Sequence, residues 1–469
     1  MEARILIFVF VCLLLVIPCQ GRIITVDDEG IADFNNIQAA IDDSNDGDTI
    51  EVKIGTYTGN GNRDIDFKGK AITVRGTDPN DPNVVANTII DCNATEAQQH
   101  RGFYFHSGED VNSILAGITI TRGYVADPPK PNRGPYQGGA IFCDTGVGPT
   151  ISRCIIRGNT AISGGGIYCK DSHSTISHCL IQANRTIYVS REDGGGGISC
   201  GTFGYGSDVI SNCIITGNVS LNGDHGGMAI TAAVGGGISV HSSIDSSYTI
   251  RNCTIVGNKA LNKNGGRGGG IHDDWGSSAV MNCIIWDNVS PVYTQVWKPS
   301  LPFPSYCDIE EQEGPIGYVP GEGTYHIDPC FVNPGYWDSN DVWVEGEYHL
   351  KSQAGRWDPN CLNWVHDSVT SPCIDAGDPN SDWTAELWPH GKRINMGAYG
   401  GTPEASMSLS GVGNIADFNK DGNVNYLDTK LLAERWLSEE VLLAEDTDRN
   451  GAVNLTDFAI FADNWRWEE

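Results

Sequence analysis

Ile151-Ser-Arg-Cys154-Ile-Ile-Arg-Gly-Asn159 is the stretch whose reading decides the fold, because it returns down the chain. The other copies are Ile176-Ser-His-Cys179-Leu-Ile-Gln-Ala-Asn184, Ile210-Ser-Asn-Cys213-Ile-Ile-Thr-Gly-Asn218, Ile250-Arg-Asn-Cys253-Thr-Ile-Val-Gly-Asn258 and Val280-Met-Asn-Cys283-Ile-Ile-Trp-Asp-Asn288. Each is a short β-rich run ending in a turn. Counted Cys to Cys, the copies are spaced by 25, 34, 40 and 30 residues, too irregular for a rigid helical repeat but suited to a coil with variable loops.

A second phrase interleaves with the first: Gly138-Gly-Ala-Ile-Phe-Cys143, Gly164-Gly-Gly-Ile-Tyr-Cys169, Gly195-Gly-Gly-Ile-Ser-Cys200, Gly235-Gly-Gly-Ile-Ser-Val240 and Gly268-Gly-Gly-Ile-His-Asp273. The alternation predicts a parallel β-helix solenoid, in which equal positions of successive coils stack about 4.8 Å apart. Ile and Cys then form the core and Asn a ladder of amides at the turns. The crossover rule favours the right-handed form. These repeats resemble those of the pectin-lyase-like superfamily and of bacterial surface β-helix proteins, a resemblance that implies the same right-handed fold.

Several tempting motifs lose their functional reading in that frame. Asn184, Asn218 and Asn288 lie in Asn-x-Ser/Thr sequons, but as ladder residues they are expected to face inward and to accept no glycan. Ladder cysteines run parallel and meet disulfide geometry poorly, and with no Cys-x-x-Cys pair, Cys–metal chemistry is not expected. Cys307, Cys330, Cys361 and Cys373 are assigned outside the ladder, where a disulfide could form with a pairing the sequence does not specify.

A solenoid needs closed ends. Residues 22–290 read as the β-helix with its N-terminal cap, in which Asp33 is expected to cap a helix over Phe34–Ile41 and Gly47–Val52 to open the first strand. Residues 291–405, with Trp297, Trp337, Trp343, Trp357, Trp364, Trp383 and Trp388, read as aromatic-rich closing coils, followed by a linker at 406–413. The variable loops hold Arg133, Tyr136, Tyr188, Arg191, Glu192, Asp193, Asp224, His225, Lys263 and Arg267, groups suited to stacking on and hydrogen bonding to a saccharide. Solvated loops without a ligand are the competing reading.

The strongest catalytic candidate is His272-Asp273-Asp274, since paired carboxylates can divide acid and base roles in glycoside hydrolysis. Against it, adjacent strand residues point to opposite faces. The Gly-His-Gly and Arg-Ile-Lys motifs of polygalacturonase-like enzymes are missing, as is the Asp and Arg pattern of pectate lyases. The catalytic residues therefore stay unassigned.

Residues 414–469 carry a different chemistry, written twice. Asp417-Phe-Asn-Lys-Asp-Gly-Asn-Val-Asn-Tyr-Leu-Asp428 and Asp446-Thr-Asp-Arg-Asn-Gly-Ala-Val-Asn-Leu-Thr-Asp457 place oxygen donors at loop positions 1, 3, 5, 7, 9 and 12, the pattern that satisfies calcium. The ligands expected are Asp417, Asn419, Asp421, Asn423 through its carbonyl, Asn425 and Asp428 for one ion. For a second they are Asp446, Asp448, Asn450, Ala452 through its carbonyl, Asn454 and Asp457. Position 12 is Asp in both loops, each loop is followed by one helix without a matching helix before it, and Trp436 and Trp465 close the copies. This pattern resembles a type I dockerin, a small α-helical, EF-hand-like calcium module. The resemblance implies docking to a cohesin module through loop positions 10 and 11, here Tyr426 and Leu427, then Leu455 and Thr456.

Residues 1–21, with Arg4 ahead of an apolar run from Ile5 to Pro18, read as a secretory signal. A formal net charge of −29 weighs against nucleic acid and acidic membrane surfaces as partners, and no membrane insertion is expected. Three readings follow: an exported protein that binds extracellular polysaccharide or a surface partner and docks to a scaffold; a polysaccharide lyase or glycoside hydrolase delivered by the same module; or a structural cell-surface protein without a small ligand.

Overall fold

The structure, a computed structural model, describes residues 21–126, 136–187, 194–201, 206–221, 234–241, 246–261, 266–273, 278–291, 293–299, 301–311 and 320–469. The signal reading of residues 1–20 lies outside them, as do Arg133, Tyr188, Arg191, Glu192, Asp193, Asp224, His225, Lys263 and Asp274. The repeat phrase supplies two strands per coil, for example Thr150–Ser152 and Ile155–Arg157 with Cys154 at the bend between them. Ile151 pairs with Ile176, which pairs with Ile210, then Ile250, then Val280, all parallel and in register. On the neighbouring sheet Ile156, Ile181, Ile215, Ile255, Ile285 and Ile309 stack in the same way. The result is a parallel β-helix with parallel sheets of nine, nine, seven and five strands.

We call these sheets I, II, III and IV. Sheet I holds Thr150–Ser152, sheet II Ile155–Arg157, sheet III Ile141–Cys143 and Ile167–Cys169, and sheet IV Thr160–Ala161. The bends between sheets are built alike in every coil. Residues before the ladder cysteines, Arg153, His178, Asn212, Asn252 and Asn282, take left-handed φ of 50–55°, a conformation that Asn tolerates better than most residues. Each ladder thiol then donates to the carbonyl two residues back at 3.2–3.3 Å. Cys307 makes the same bond to Ser305, and its sulfur accepts from the Cys283 amide at 3.4 Å. It belongs to the ladder, contrary to the sequence assignment, because the sheet runs one coil beyond the last recognisable phrase.

The asparagines form one continuous chain of amides. Asn159 Nδ2 donates to Asn184 Oδ1, Asn184 to Asn218, Asn218 to Asn258 and Asn258 to Asn288, at 2.9–3.0 Å. Asn288 Nδ2 donates to Gln295 Oε1 at 2.8 Å, so a longer amide continues the row where no further Asn follows. Each ladder Nδ2 also reaches a backbone carbonyl of a neighbouring coil, and all five asparagines are buried. The three sequon asparagines are thus enclosed in the folded chain.

At the N-terminal end the helix spans Ile37–Asp43, and its cap is Asn36, whose side chain accepts from Ala39. Asp33 instead accepts from the amide and hydroxyl of Thr25, both at 2.8 Å, which takes it out of capping. A strand at Ile23–Val26 precedes the helix and pairs with Thr49–Val52, so the first strand lies before the cap rather than after it.

After Asp308–Ile309 one further parallel bridge, Asp308 with Tyr325, is the last rung of the coil among the described residues. Phe331–Asn333 with Glu347–Leu350, Tyr336–Trp337 with Trp343–Val344, and Arg356–Asp358 with Asn363–Val365 are antiparallel pairs, where the sequence reading expected coils. They lie on the outside of sheet II because that face is apolar in the later coils: Ile214, Val256, Ile284 and Trp286 pack with Phe331, Tyr348, Leu350 and Met396. Trp343 shows how closely. A Cβ built on Gly217 or Gly257 would come within 2.2 Å or 2.1 Å of its ring, and both glycines have positive φ, so these two bends suit only glycine.

Two outcomes follow from the ladder and its covering segment. Asn218→Ala leaves the amide of Asn184 and the Ile181 carbonyl without partners in a dry core. It should destabilise the protein by about 3 kcal/mol or more in chemical denaturation, where an exposed Asn→Ala such as Asn112→Ala changes little. Gly257→Ala should displace the Trp343 ring, visible as a lower thermal midpoint and altered tryptophan emission.

Candidate functional site

The two acidic loops fold as near copies related by an offset of 29 residues. In the first, Asp417 accepts from the amides of Asp421 and Gly422 at 3.1 and 2.9 Å. In the second, Asp446 accepts from Asn450 and Gly451 at the same distances. Gly422 and Gly451 turn the chain with φ of 85° and 87°. Positions 3 and 5 hold one amide and one carboxylate in each loop, in swapped order, and touch: Asn419 donates to Asp421 and Asn450 to Asp448, both at 2.9 Å. Each loop therefore offers three carboxylates, the swap leaving its charge unchanged.

Position 12 closes each loop and starts a helix. Asp428 accepts from the amides of Phe418 and Asn419 with one oxygen and of Asn425 with the other, forming a capping box for Tyr426–Glu434. Asp457 does the same for Leu455–Asp463 through Thr447, Asp448 and Asn454. Both carboxylates are fully buried, and in the second loop oxygens of Asp446, Asp448 and Asp457 lie within 4.8 Å of one another. Burial, and then the charge of the position-12 carboxylate, raises the carboxyls of Asp417 and Asp446 above the usual range. Packed, acidic and all-oxygen, the second donor set fits a hard divalent cation, and the first repeats its pattern in sequence.

The copies clasp each other. Val424 of the first loop bonds to Arg466 and Trp467 beyond the second helix, while Val453 of the second loop bonds to Leu437 and Ser438 beyond the first. Ala416, Phe418, Val424, Leu432, Val453 and Phe461 form their shared core. Outside it, Tyr426, Leu427, Leu455 and Thr456 stand exposed at the starts of the helices.

The fourth residue of each loop was not singled out by the sequence reading, although a basic residue recurs at that offset. Lys420 donates to the carbonyls of Thr384 and Glu386, and Arg449 to that of Trp388 at 3.0 Å, so both loops are fastened to the closing segment. Residues 406–408 are likewise buried, with Met407 bonded to Gly355 and Ser408 to Pro389, which leaves only 409–413 of the expected linker without such ties. Burial lowers Lys420 to about 8 and His390 to about 4, and raises Glu386 to about 8.

On the β-helix, the structure encloses two residues of the catalytic candidate, while Asp274 lies outside the described residues. Asp273 is fully buried and bonds to Lys298 Nζ at 2.6 Å and to Ser278, so its carboxylate serves the core rather than a solvent-borne substrate. His272 is on the opposite face of the same strand and is also buried. Arg267 lies over the Trp297 ring at 4.6 Å, with Tyr293 against the same ring at 4.4 Å. Tyr136 is half-buried. All thirteen cysteines of the described residues are free thiols, including Cys307, Cys330, Cys361 and Cys373.

Comparison with known proteins agrees with the C-terminal geometry. Residues 415–463 match the family described as dockerin type I domain, and residues 317–377 match one described as disaggregatase related. No curated protein matches the chain. Among solved structures, pectate lyase Pel9A aligns over 81% of this chain and 96% of its own at 14% identity, with a TM-score of 0.39, a likeness too slight to bear on activity. The chain is a parallel β-helix protein with a dockerin type I module at its C-terminus. Among the described residues no helix is long and apolar enough to cross a membrane.

The module's seat on the closing segment has a pH signature. Glu386 is buried and accepts from the amides of Asn395 and Gly401, and burial pushes its carboxyl up to about 8 against those bonds. An acid raised in the folded state favours folding below its unfolded value, and that contribution is lost as pH climbs through the folded value, here between about 4.5 and about 8. Glu386→Gln keeps the acceptor and cannot ionise, so it should raise the thermal midpoint more at about pH 9 than at about pH 5.

Proposed function

We propose that this is an exported protein docked to a cohesin-type module through a calcium-dependent dockerin, and that its β-helix binds extracellular polysaccharide. The reading is carried by the duplicated loop–helix unit, with its buried carboxylates inside and four exposed recognition positions outside. Two calcium ions would be held, one by Asp417, Asn419, Asp421, Asn423, Asn425 and Asp428, the other by Asp446, Asp448, Asn450, Ala452, Asn454 and Asp457. Their charge would offset the cost of enclosing three carboxylates per loop. Near two-fold repetition of the module gives two candidate docking faces, one with Tyr426 and Leu427, the other with Leu455 and Thr456.

The polysaccharide reading draws support from where the chain inserts its loops. Segments 127–135, 188–193, 222–233 and 262–265 all connect a strand of sheet IV to the next strand of sheet III. Segments 202–205, 242–245 and 274–277 connect sheet III to sheet I. The insertions thus enter the chain before and after the strands of sheet III. The outward row of that sheet runs Tyr104, Phe142, Tyr168, Ser199, Ser239, His272 and Trp297, of which the five middle residues are buried and only Tyr104 and Trp297, at the two ends, are partly exposed. The aromatic faces of Tyr104 and Trp297 suit stacking on a sugar.

Calorimetry on the full chain should count two calcium ions, falling to one in Asp417→Ala or Asp446→Ala. No heat from the unaltered protein would refute the calcium assignment. Binding to a panel of cohesins should require calcium, and Tyr426→Ala with Leu427→Ala, compared with Leu455→Ala with Thr456→Ala, should show which face is used. On pectin, alginate and xylan, retention without product release supports the binding reading. Product release would make the protein an enzyme, and silence on all three would leave a structural role.

A further inference from the structure

Where sheet III hands over to sheet I, the inward row of cysteines meets a buried carboxylate. Cys169 and Cys200 end the adjacent strands Ile167–Cys169 and Ile198–Cys200 and pair in register. Across the bend Asp208 precedes the strand Val209–Ser211, and only 1% of it is exposed. Its Oδ1 accepts from the Ser172 hydroxyl at 2.5 Å and the Ser174 amide at 2.7 Å, but its Oδ2 has no partner. The two sulfurs and a carboxylate oxygen of Asp208 lie within 4.8 Å of one another. Tyr248, one coil further on, presents a second buried group without a partner, its hydroxyl.

Asp273 shows how this fold deals with a carboxylate in the same corner. Cys200 pairs with Val240 and Val240 with Asp273, so Asp273 continues the cysteine row two coils on. There the charge meets Lys298 Nζ at 2.6 Å, with both side chains fully buried. Asp208 is as deeply enclosed, and the hydrogen bonds described for it come from serines alone. A buried carboxylate without a cation is costly, and two thiols beside it are the groups that hold a thiophilic metal.

We propose that Cys169, Cys200 and Asp208 bind a thiophilic divalent cation of the zinc type in the core of the β-helix. Tetrahedral zinc, with Zn–S of about 2.3 Å and Zn–O of about 2.0 Å, sets its ligands roughly 3.5–3.8 Å apart, so the three groups need close by only about an ångström. Cys169 and Cys200 would bind as thiolates, releasing their protons to solvent as the ion enters, and Asp208 through the oxygen now lacking a partner. Calcium does not suit a set with two sulfurs, which keeps this site apart from the C-terminal loops. The absence of any Cys-x-x-Cys pair misleads here, because the solenoid, not local spacing, brings the ligands together.

The test uses the full chain. After exhaustive dialysis against a calcium-selective chelator, elemental analysis should find about one zinc per chain, retained by Asp273→Asn and lost in Asp208→Asn and Cys200→Ser. Refolding with cobalt(II) should give a thiolate-to-cobalt charge-transfer band that Asp208→Asn weakens and Cys200→Ser abolishes. Asp208→Asn keeps shape and serine contacts, so it reports even where the cysteine variant fails to fold. Unaltered protein that refolds with zinc or cobalt yet retains neither overturns the proposal, as does a Cys169–Cys200 disulfide found by mass spectrometry.

Discussion

Register between successive coils is the constraint on which everything else in this molecule depends. Parallel pairing puts equal positions of each coil one above another, so a residue type chosen once is repeated as a row: isoleucines inward on sheets I and II, thiols at one bend, amides at the next. A shift by one residue would turn Ile151 and its counterparts outward. The amide row also resists longer slips, because an Asn displaced from its partner leaves donors unpaired inside a dry core. Thiols add little energy but fit the bend, each satisfying a carbonyl of its own turn.

Rows of like residues also decide what the outer faces can do. Sheet II becomes more apolar outside in its later coils, where Val256 and Trp286 take the row that Arg157 and Gln182 hold in earlier coils, beside Ile214 and Ile284 in the row of Ile155 and Leu180. The antiparallel hairpins cover that stretch, so the chain returns along the flank of the solenoid instead of extending it. The C-terminal module is consequently fastened to the closing segment. The chain makes its long insertions instead between strands that end or begin at the edges of sheet III.

Legibility in the sequence followed periodicity. The Cys and Asn phrases repeat because identical environments recur, and the acidic loops repeat Asp, Gly, Val, Asn and Asp at positions 1, 6, 8, 9 and 12 because one loop geometry recurs. Cys307 was misplaced because its coil lacks the flanking phrase, and the cap was given to Asp33 because Asn36, the true cap, stands only three residues on. The hairpins were unreadable as such: short aromatic strands pair once, with no second copy to expose the pattern. Asp208 left no local signal either, since its neighbours in sequence are not its neighbours in space.

The acidic loops join two roles through one backbone shape. Positions 1 and 3 both accept from the amide of position 5, and the intervening position 4 takes left-handed φ, 58° at Lys420 and 60° at Arg449. Those two cations leave the loops and end on carbonyls of the closing segment. Position 12 does the converse, drawing the loop's first amides and the helix's first turn onto one buried carboxylate. Anything that fixes the ligand positions therefore also fixes the anchor and the recognition residues at 10 and 11, since all of them lie within a single twelve-residue turn of chain. Attachment to the closing segment and exposure of positions 10 and 11 are in this way consequences of the same loop geometry, and the second copy, joined to the first through the shared core, repeats both.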